Sequence, residues 1–337
     1  MTGRRPTPAL EEPAPPVDWD YHPFNTAPRP QVDLPYHPFN TANVPMFIRP
    51  ERRFRPEIEG LRALAVFMVV SYHIWFGRVS GGVDVFLLIS AFLLTGSFIR
   101  KVESGTPLRL VHYWLNLFKR LMPVAALVLL GVFAATILWL PQTRWKDIFS
   151  DGWASLMYVQ NWALAASSVD YGAADHSSAS PLQHFWSQSI QGQVFILWPV
   201  IFAVCALIAK ASGARYRVVL AYAFGTIFAV SLAFSVYETD MHQALAYFDT
   251  RARLWEFALG SLLAIVQPLL DYSRATRVFL GWAGVAAMLA CGVILQVQQQ
   301  FPGYMALWPT LAACMVIVAG NTGASAVTGD VGAGLGG

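Results

Sequence analysis

Arg55-Pro56-Glu57-Ile58-Glu59-Gly60-Leu61-Arg62 opens the stretch that decides the reading of this chain. An apolar run from Leu61 to Phe76 follows, then a polar hinge, Gly77-Arg78-Val79-Ser80-Gly81-Gly82, then a second apolar run from Val83 to Ile99. Each run approaches the ~20 residues an α-helix needs to cross ~30 Å of hydrocarbon. The two are therefore expected to form a transmembrane hairpin. Arg62 stands at the mouth of the first run, His73 lies within it, and Asp84 opens the second. Ionisable groups at membrane depth are costly, so these three are the first candidates for chemistry.

Composition agrees with a membrane protein. Of 337 residues, 55% are hydrophobic and only 13% charged, against about 25% charged in soluble domains. The net charge of +3 is small, and no basic patch suits a nucleic acid. Cys205, Cys291 and Cys314 all sit in apolar runs, without the spacing of a metal site or a disulfide framework. No metal and no bound cofactor are expected. Residues 1–54 are rich in Pro, Asp and Arg and are expected to be disordered. They repeat a motif, Tyr21-His22-Pro23-Phe24-Asn25-Thr26-Ala27 and Tyr36-His37-Pro38-Phe39-Asn40-Thr41-Ala42, which is either a docking segment or a local duplication. With no apolar core in this tail, the first helix is expected to act as an uncleaved insertion signal.

Arg49, Arg52, Arg53, Arg55 and Arg62 before the first run place that end in the cytoplasm by the positive-inside rule. The second helix returns to Arg100, Lys101 and Arg109, and a third span, Leu121 to Leu140, leaves from Lys119 and Arg120. Residues 149–167 are apolar but carry Asp151, Gln160 and Asn161 among aromatics, which suits an interfacial or re-entrant segment. Only that choice keeps Lys210, Arg215 and Arg217 inside, so 141–189 is expected to be one extracytoplasmic region. Spans at 190–209, 218–236, 254–270, 278–295 and 305–320 follow, with an outer acidic loop holding Glu238, Asp240 and Asp249. The expected fold class is all-α, a polytopic membrane bundle of about eight helices (55–320) closed by a Gly-rich tail (321–337).

His73 lies eleven residues beyond Arg62, about 16 Å along a helix. An imidazole can take and return a proton near neutral pH, which an acyl-accepting hydroxyl requires. The plain alternative is a ring bonded to a neighbouring carbonyl. Asp84 either caps its helix through the dipole or orients the His73 ring. His184, beside Trp186 and Ser187, is placed to contact a sugar or to anchor at the interface. Neither Ser187 nor Ser189 stands in a nucleophile elbow. Arg253 and Glu256 are three apart on one helical face and can pair, as a clamp or as part of a site.

Arg55-Pro56-Glu57-Ile58-Glu59-Gly60-Leu61-Arg62-Ala63, Tyr72-His73, Gly82-Val83-Asp84-Val85-Phe86 and Ile89-Ser90-Ala91-Phe92-Leu93-Leu94-Thr95 resemble the bacterial membrane acyltransferase-3 family. So do His184-Phe185-Trp186-Ser187, Gln193 to Pro199, and Arg253-Leu254-Trp255-Glu256 with Leu259-Gly260. The pieces occur in family order over roughly 55–320. The resemblance implies a ten-helix core and transfer of an acyl group, commonly acetyl, from cytoplasmic acyl-CoA to an extracytoplasmic glycan or glycolipid. It implies His73 as catalytic residue with Arg62 as its companion; Asp84 joins them as a catalytic candidate from the residue reading above. Lys119 and Arg120 then face the acyl-CoA, while His184, Trp186, Ser187, Arg253 and Glu256 are candidates for the acceptor. The implied location is the bacterial cytoplasmic membrane, with the N-terminus inside.

Three departures stand out. The basic cluster before the third helix is thinned to Asn116-Leu117-Phe118-Lys119-Arg120. The family's Trp-Ser-x-Ser-x-Glu-Glu-Gln reads Trp186-Ser187-Gln188-Ser189-Ile190-Gln191-Gly192-Gln193, without either carboxylate. The Ser-Tyr-x-Leu-Tyr-Leu-Trp-His-Trp helix and a fused esterase-like domain are missing from these residues. A glycan or lipid translocator and a truncated, inactive acyltransferase therefore stand beside the enzyme reading.

Overall fold

The structure, a computed structural model, describes residues 55–76, 81–170, 180–294 and 300–321. The repeat-bearing tail, the Gly-rich tail from 322 onward and the His73 side chain lie outside the described residues. Every regular element among those described is helical, and the chain is an all-α membrane bundle.

α1, Pro56–Ser71, starts on a proline whose missing N–H is not needed in a first turn. It runs on into a π-helical turn, Tyr72–Phe76, that carries the His73 backbone. α2 (Gly82–Glu103) follows Gly81, whose φ of +69° and lack of a side chain let Pro309 sit where a Cβ would be, 2.6 Å away. α3 spans Leu110–Trp139, α6 Phe185–Ser212, α7 Tyr216–Phe248, α8 Thr250–Val266, α9 Arg274–Ile294 and α10 Leu307–Ala319. Among the described residues, four helices (α2, α3, α6 and α7) are long and apolar enough to cross a membrane by length and composition.

Between α3 and α6 lie two short helices, α4 (Trp145–Leu156) and α5 (Gln160–Asp170). At 1.5 Å per residue they are about 18 and 17 Å long, well short of a crossing. Leu182 and Phe185, at the start of α6, share an apolar cluster with Leu129, Val132 and Phe133 of α3 and Ile148 of α4. The chain thus leaves and re-enters the bundle at one end. α4 descends along α3, with Phe149 against Phe133 (4.9 Å between centroids), and Tyr158 at the tip meets Phe118 at 5.9 Å.

α7 corrects the expectation of an acidic loop after 236: the helix continues to Phe248, with a break at His242 (φ −144°, ψ 64°). No proline and one glycine occur across its 33 residues, and polar side chains alone do not stop a helix. Glu238 and His242, one turn apart, meet at 3.3 Å. Asp249 ends the run by capping α8, its Oδ1 accepting the Arg251 N–H at 2.7 Å.

The two bundle ends differ. At one, Arg55 donates to Gln267 Oε1 (3.1 Å) and Ile317 O, Arg277 donates to Asn321 O (2.9 Å), and Arg217 pairs with Glu103 (2.6 Å). The other gathers the start of α2, the α4–α5 hairpin, the α7–α8 junction and the residues that lead into α10. Lipid tails are as apolar as leucine, so close approach and interhelical hydrogen bonds hold such helices together. Gly260 of α8 rests directly on the Leu88 carbonyl of α2, with no room for a Cβ. Below it, Ser261 Oγ accepts from both Thr95 Oγ1 and Trp198 Nε1 at 2.9 Å, tying α2, α6 and α8 together.

Candidate active site

The first turn of α2 and the first two turns of α8 bring two carboxyls to one guanidinium. Arg253 Nη1 lies 2.6 Å from Asp84 Oδ1 and 3.0 Å from Glu256 Oε1. The three side chains are 1%, 2% and 0% exposed. Arg253 also donates through Nε to Tyr247 O at 3.3 Å and lies between two rings, 5.1 Å from Trp186 and 4.9 Å from Tyr247. Aromatic faces favour a cation where water cannot reach it. Glu256 Oε2 receives no N–H or O–H from the described residues. A charged cluster this dry holds only because each member is fixed by another.

Asp84 is the third residue of α2, and no side chain caps that helix; the carboxylate goes to Arg253 instead. The acceptor candidates divide. Trp186, Arg253 and Glu256 are buried and in one cluster with Asp84. His184 precedes α6 on its exposed side, and Ser187 Oγ turns back to His184 O at 3.4 Å. Arg62 stands on the exposed face of α1, its guanidinium 3.2 Å from Glu59. Lys119 and Arg120 are exposed on α3. Lys101, nearby in the sequence of the same bundle end, lies over Phe98 at 5.1 Å and Tyr113 at 6.0 Å. His73 is placed by its backbone alone, on the π turn; its neighbour Tyr72 shares one apolar core with Val85, next to Asp84.

The sequence reading passed over a second polar group. Gln193 Nε2 donates to Tyr158 O and Asn161 Oδ1, both at 2.8 Å, and its Oε1 accepts from Thr250 Oγ1 at 2.6 Å. Asn161 Nδ2 donates to Phe248 O and Thr250 Oγ1, both at 3.0 Å. Gln191 donates to Ser90 of α2. The two glutamines flank Gly192 in the stretch that lacks the family's carboxylates, and here they lock α6 to α2, α5 and the start of α8. Asn161 in an otherwise apolar stretch was the available signal, since such a polar group needs interior partners.

A family model described as an acyltransferase domain matches residues 55–328. The "Peptidoglycan O-acetyltransferase OatA" of Listeria monocytogenes is 29% identical over 248 residues, covering 72% of this chain and 39% of the relative. A Staphylococcus aureus (strain MSSA476) protein named "Putative O-acetyltransferase" is 32% identical over 219 residues, 64% of this chain and 35% of its own. A Bacillus subtilis protein named "Putative peptidoglycan O-acetyltransferase YrhL" is 28% identical over 220 residues, 64% and 34% respectively. The chain spans about a third of the length of these curated relatives. No solved structure matches. The family model takes in both helix pairs of the buried cluster, from Arg55 past α10, and on that match the chain belongs to the acyltransferase-3 family of membrane acyltransferases.

Proposed function

We propose that this chain is the membrane part of an O-acetyltransferase that moves an acetyl group from cytoplasmic acetyl-CoA to an extracytoplasmic glycan of the peptidoglycan type. The observation that carries the reading is the dry Asp84–Arg253–Glu256 cluster, at the bundle end where α1 finishes in the turn bearing His73. Family membership and the relatives' names supply the reaction class and the acceptor class.

In this mechanism the neutral His73 imidazole accepts the proton of a glycan hydroxyl as that oxygen attacks the thioester carbonyl. The C–S bond breaks, and the leaving CoA thiolate takes the proton back from the imidazolium. Products are an O-acetyl ester and CoA thiol. Arg62, about 16 Å away along the helix, acts on the donor near the opposite bundle end, with Lys119 and Arg120 binding its phosphates through charge-assisted hydrogen bonds. The extended arm of CoA between nucleotide and thioester bridges that interval. The cluster's role is positional: Arg253 clamps the first turns of α2 and α8, and so fixes the walls of the acceptor site beneath Trp186.

The test is transport and chemistry in one assay. Vesicles holding the full-length protein receive labelled acetyl-CoA on the cytoplasmic face and a glycan on the other. Alkali-labile label on the glycan is expected. Glycan that crosses the membrane unacetylated would replace this reading with a translocator.

A further inference from the structure

The tip of the α4–α5 hairpin holds polar atoms that the cluster above does not use. Tyr158, in the connection, has φ +58°, a value a non-glycine residue keeps only when its surroundings enforce it. Its ring fills the space over Gly192 of α6 and meets Phe118 of α3, and its carbonyl accepts from Gln193. Gln160 N donates to Ser189 Oγ at 3.3 Å. α3 and α6 thus fix this turn.

Inside it, Gln160 is 0% exposed, and among the described residues neither its Oε1 nor its Nε2 has a hydrogen-bond partner; Ser155 Oγ, in a residue 2% exposed, has none among them either. The adjacent Asn161 is just as buried, yet its carboxamide is met on both sides by Phe248 O, Thr250 Oγ1 and Gln193. The fold can satisfy a carboxamide here and leaves the one at 160 open. Buried polar groups without partners are rare and call for a missing one.

We propose that Gln160 is a substrate-binding residue whose carboxamide pairs with a secondary amide of a substrate. This rests on the acyltransferase reading above. A carboxamide presents one acceptor and N–H donors, and a secondary amide returns the complement without bringing charge into a dry interior. Position agrees: Asn161, next in the chain, bonds Thr250, and Arg253 follows one turn along α8. Two substrate parts carry the group, the pantetheine arm of the CoA donor and the N-acetyl group of an amino-sugar acceptor.

The experiment measures binding of coenzyme A, an N-acetylglucosamine tetramer and a glucosamine tetramer to the full-length protein in lipid nanodiscs. Gln160→Met keeps the side chain's length and removes its hydrogen bonds. It is expected to weaken one probe about tenfold or more, the scale of one or two lost hydrogen bonds. Loss for coenzyme A assigns the amide to the donor. Loss for the N-acetylated tetramer, with the glucosamine tetramer unaffected, assigns it to the acceptor. Should Gln160→Met fail to fold, Gln160→Asn withdraws the same group and is expected to lose the same probe. Wild-type affinity for all probes in a folded variant overturns the proposal and leaves a buried water as the partner. A wild-type protein that binds no probe removes the acyltransferase reading, and this inference with it.

Discussion

Asp84 and Arg253, 169 residues apart in the chain, meet at 2.6 Å with neither side chain more than 2% exposed. Removing Asp84 leaves Arg253 with Glu256 alone, and removing Arg253 strands both carboxyls in a dry interior, a loss of about 3–5 kcal/mol. Asp84→Asn and Arg253→Gln are each expected to lower the melting temperature of the purified protein markedly. The double variant should lose less than the sum, because Asp84→Asn removes one of the two carboxylates that Arg253→Gln strands. Additive losses would show that the two side chains act independently.

Ser261 is the common acceptor for Thr95 and Trp198. Ser261→Ala leaves two buried donors unmet, at about 1–3 kcal/mol each. The expected result is a lower melting temperature, with Thr95→Val in the same background costing little more. An unchanged melting temperature in Ser261→Ala would mean the three-helix junction is held by packing alone.

These two junctions mark what the sequence made legible and what it did not. Apolar runs located α1, α2, α3 and α6, and the i,i+3 spacing of Arg253 and Glu256 gave that pair directly. Asp84 as the second carboxyl was hidden, because its partner lies on a helix far along the chain and only packing brings the two together. The end of α7 was misread since charge was taken as a sign of loop, whereas Glu238 and His242 pair within one helical turn. Gln191 and Gly192 stand where the family pattern has its two carboxylates, while Gln193 keeps the pattern's glutamine; the bonds of Gln191 to Ser90 and of Gln193 to Asn161 and Thr250 show amides holding the helices together along this stretch.

The sidedness we propose rests on the positive-inside argument and on the packing of the start of α6 against the outer half of α3. Cysteines placed at the exposed Ser150 and Ser212 report on opposite ends. Ser150→Cys should react with an impermeant thiol reagent in intact cells, and Ser212→Cys only after permeabilisation. Two native cysteines are buried and the third half-buried, so background should be low. Labelling of both sites from outside would overturn the topology.

Lys119 and Arg120 are exposed on α3, free to meet the phosphates of CoA. Replacing both with Gln should weaken CoA binding several-fold and flatten its dependence on salt, while leaving membrane insertion intact. CoA affinity equal to wild type would return these residues to anchoring.

His73 carries the central claim, and one rate decides it. Acetyl transfer to glycan is measured for wild type and His73→Ala in vesicles matched for protein content. Loss of a general base lowers a rate by ~10²–10⁴-fold, and that range is the expected result, with CoA binding retained. Transfer at the wild-type rate in His73→Ala would contradict the account and take this residue out of the mechanism.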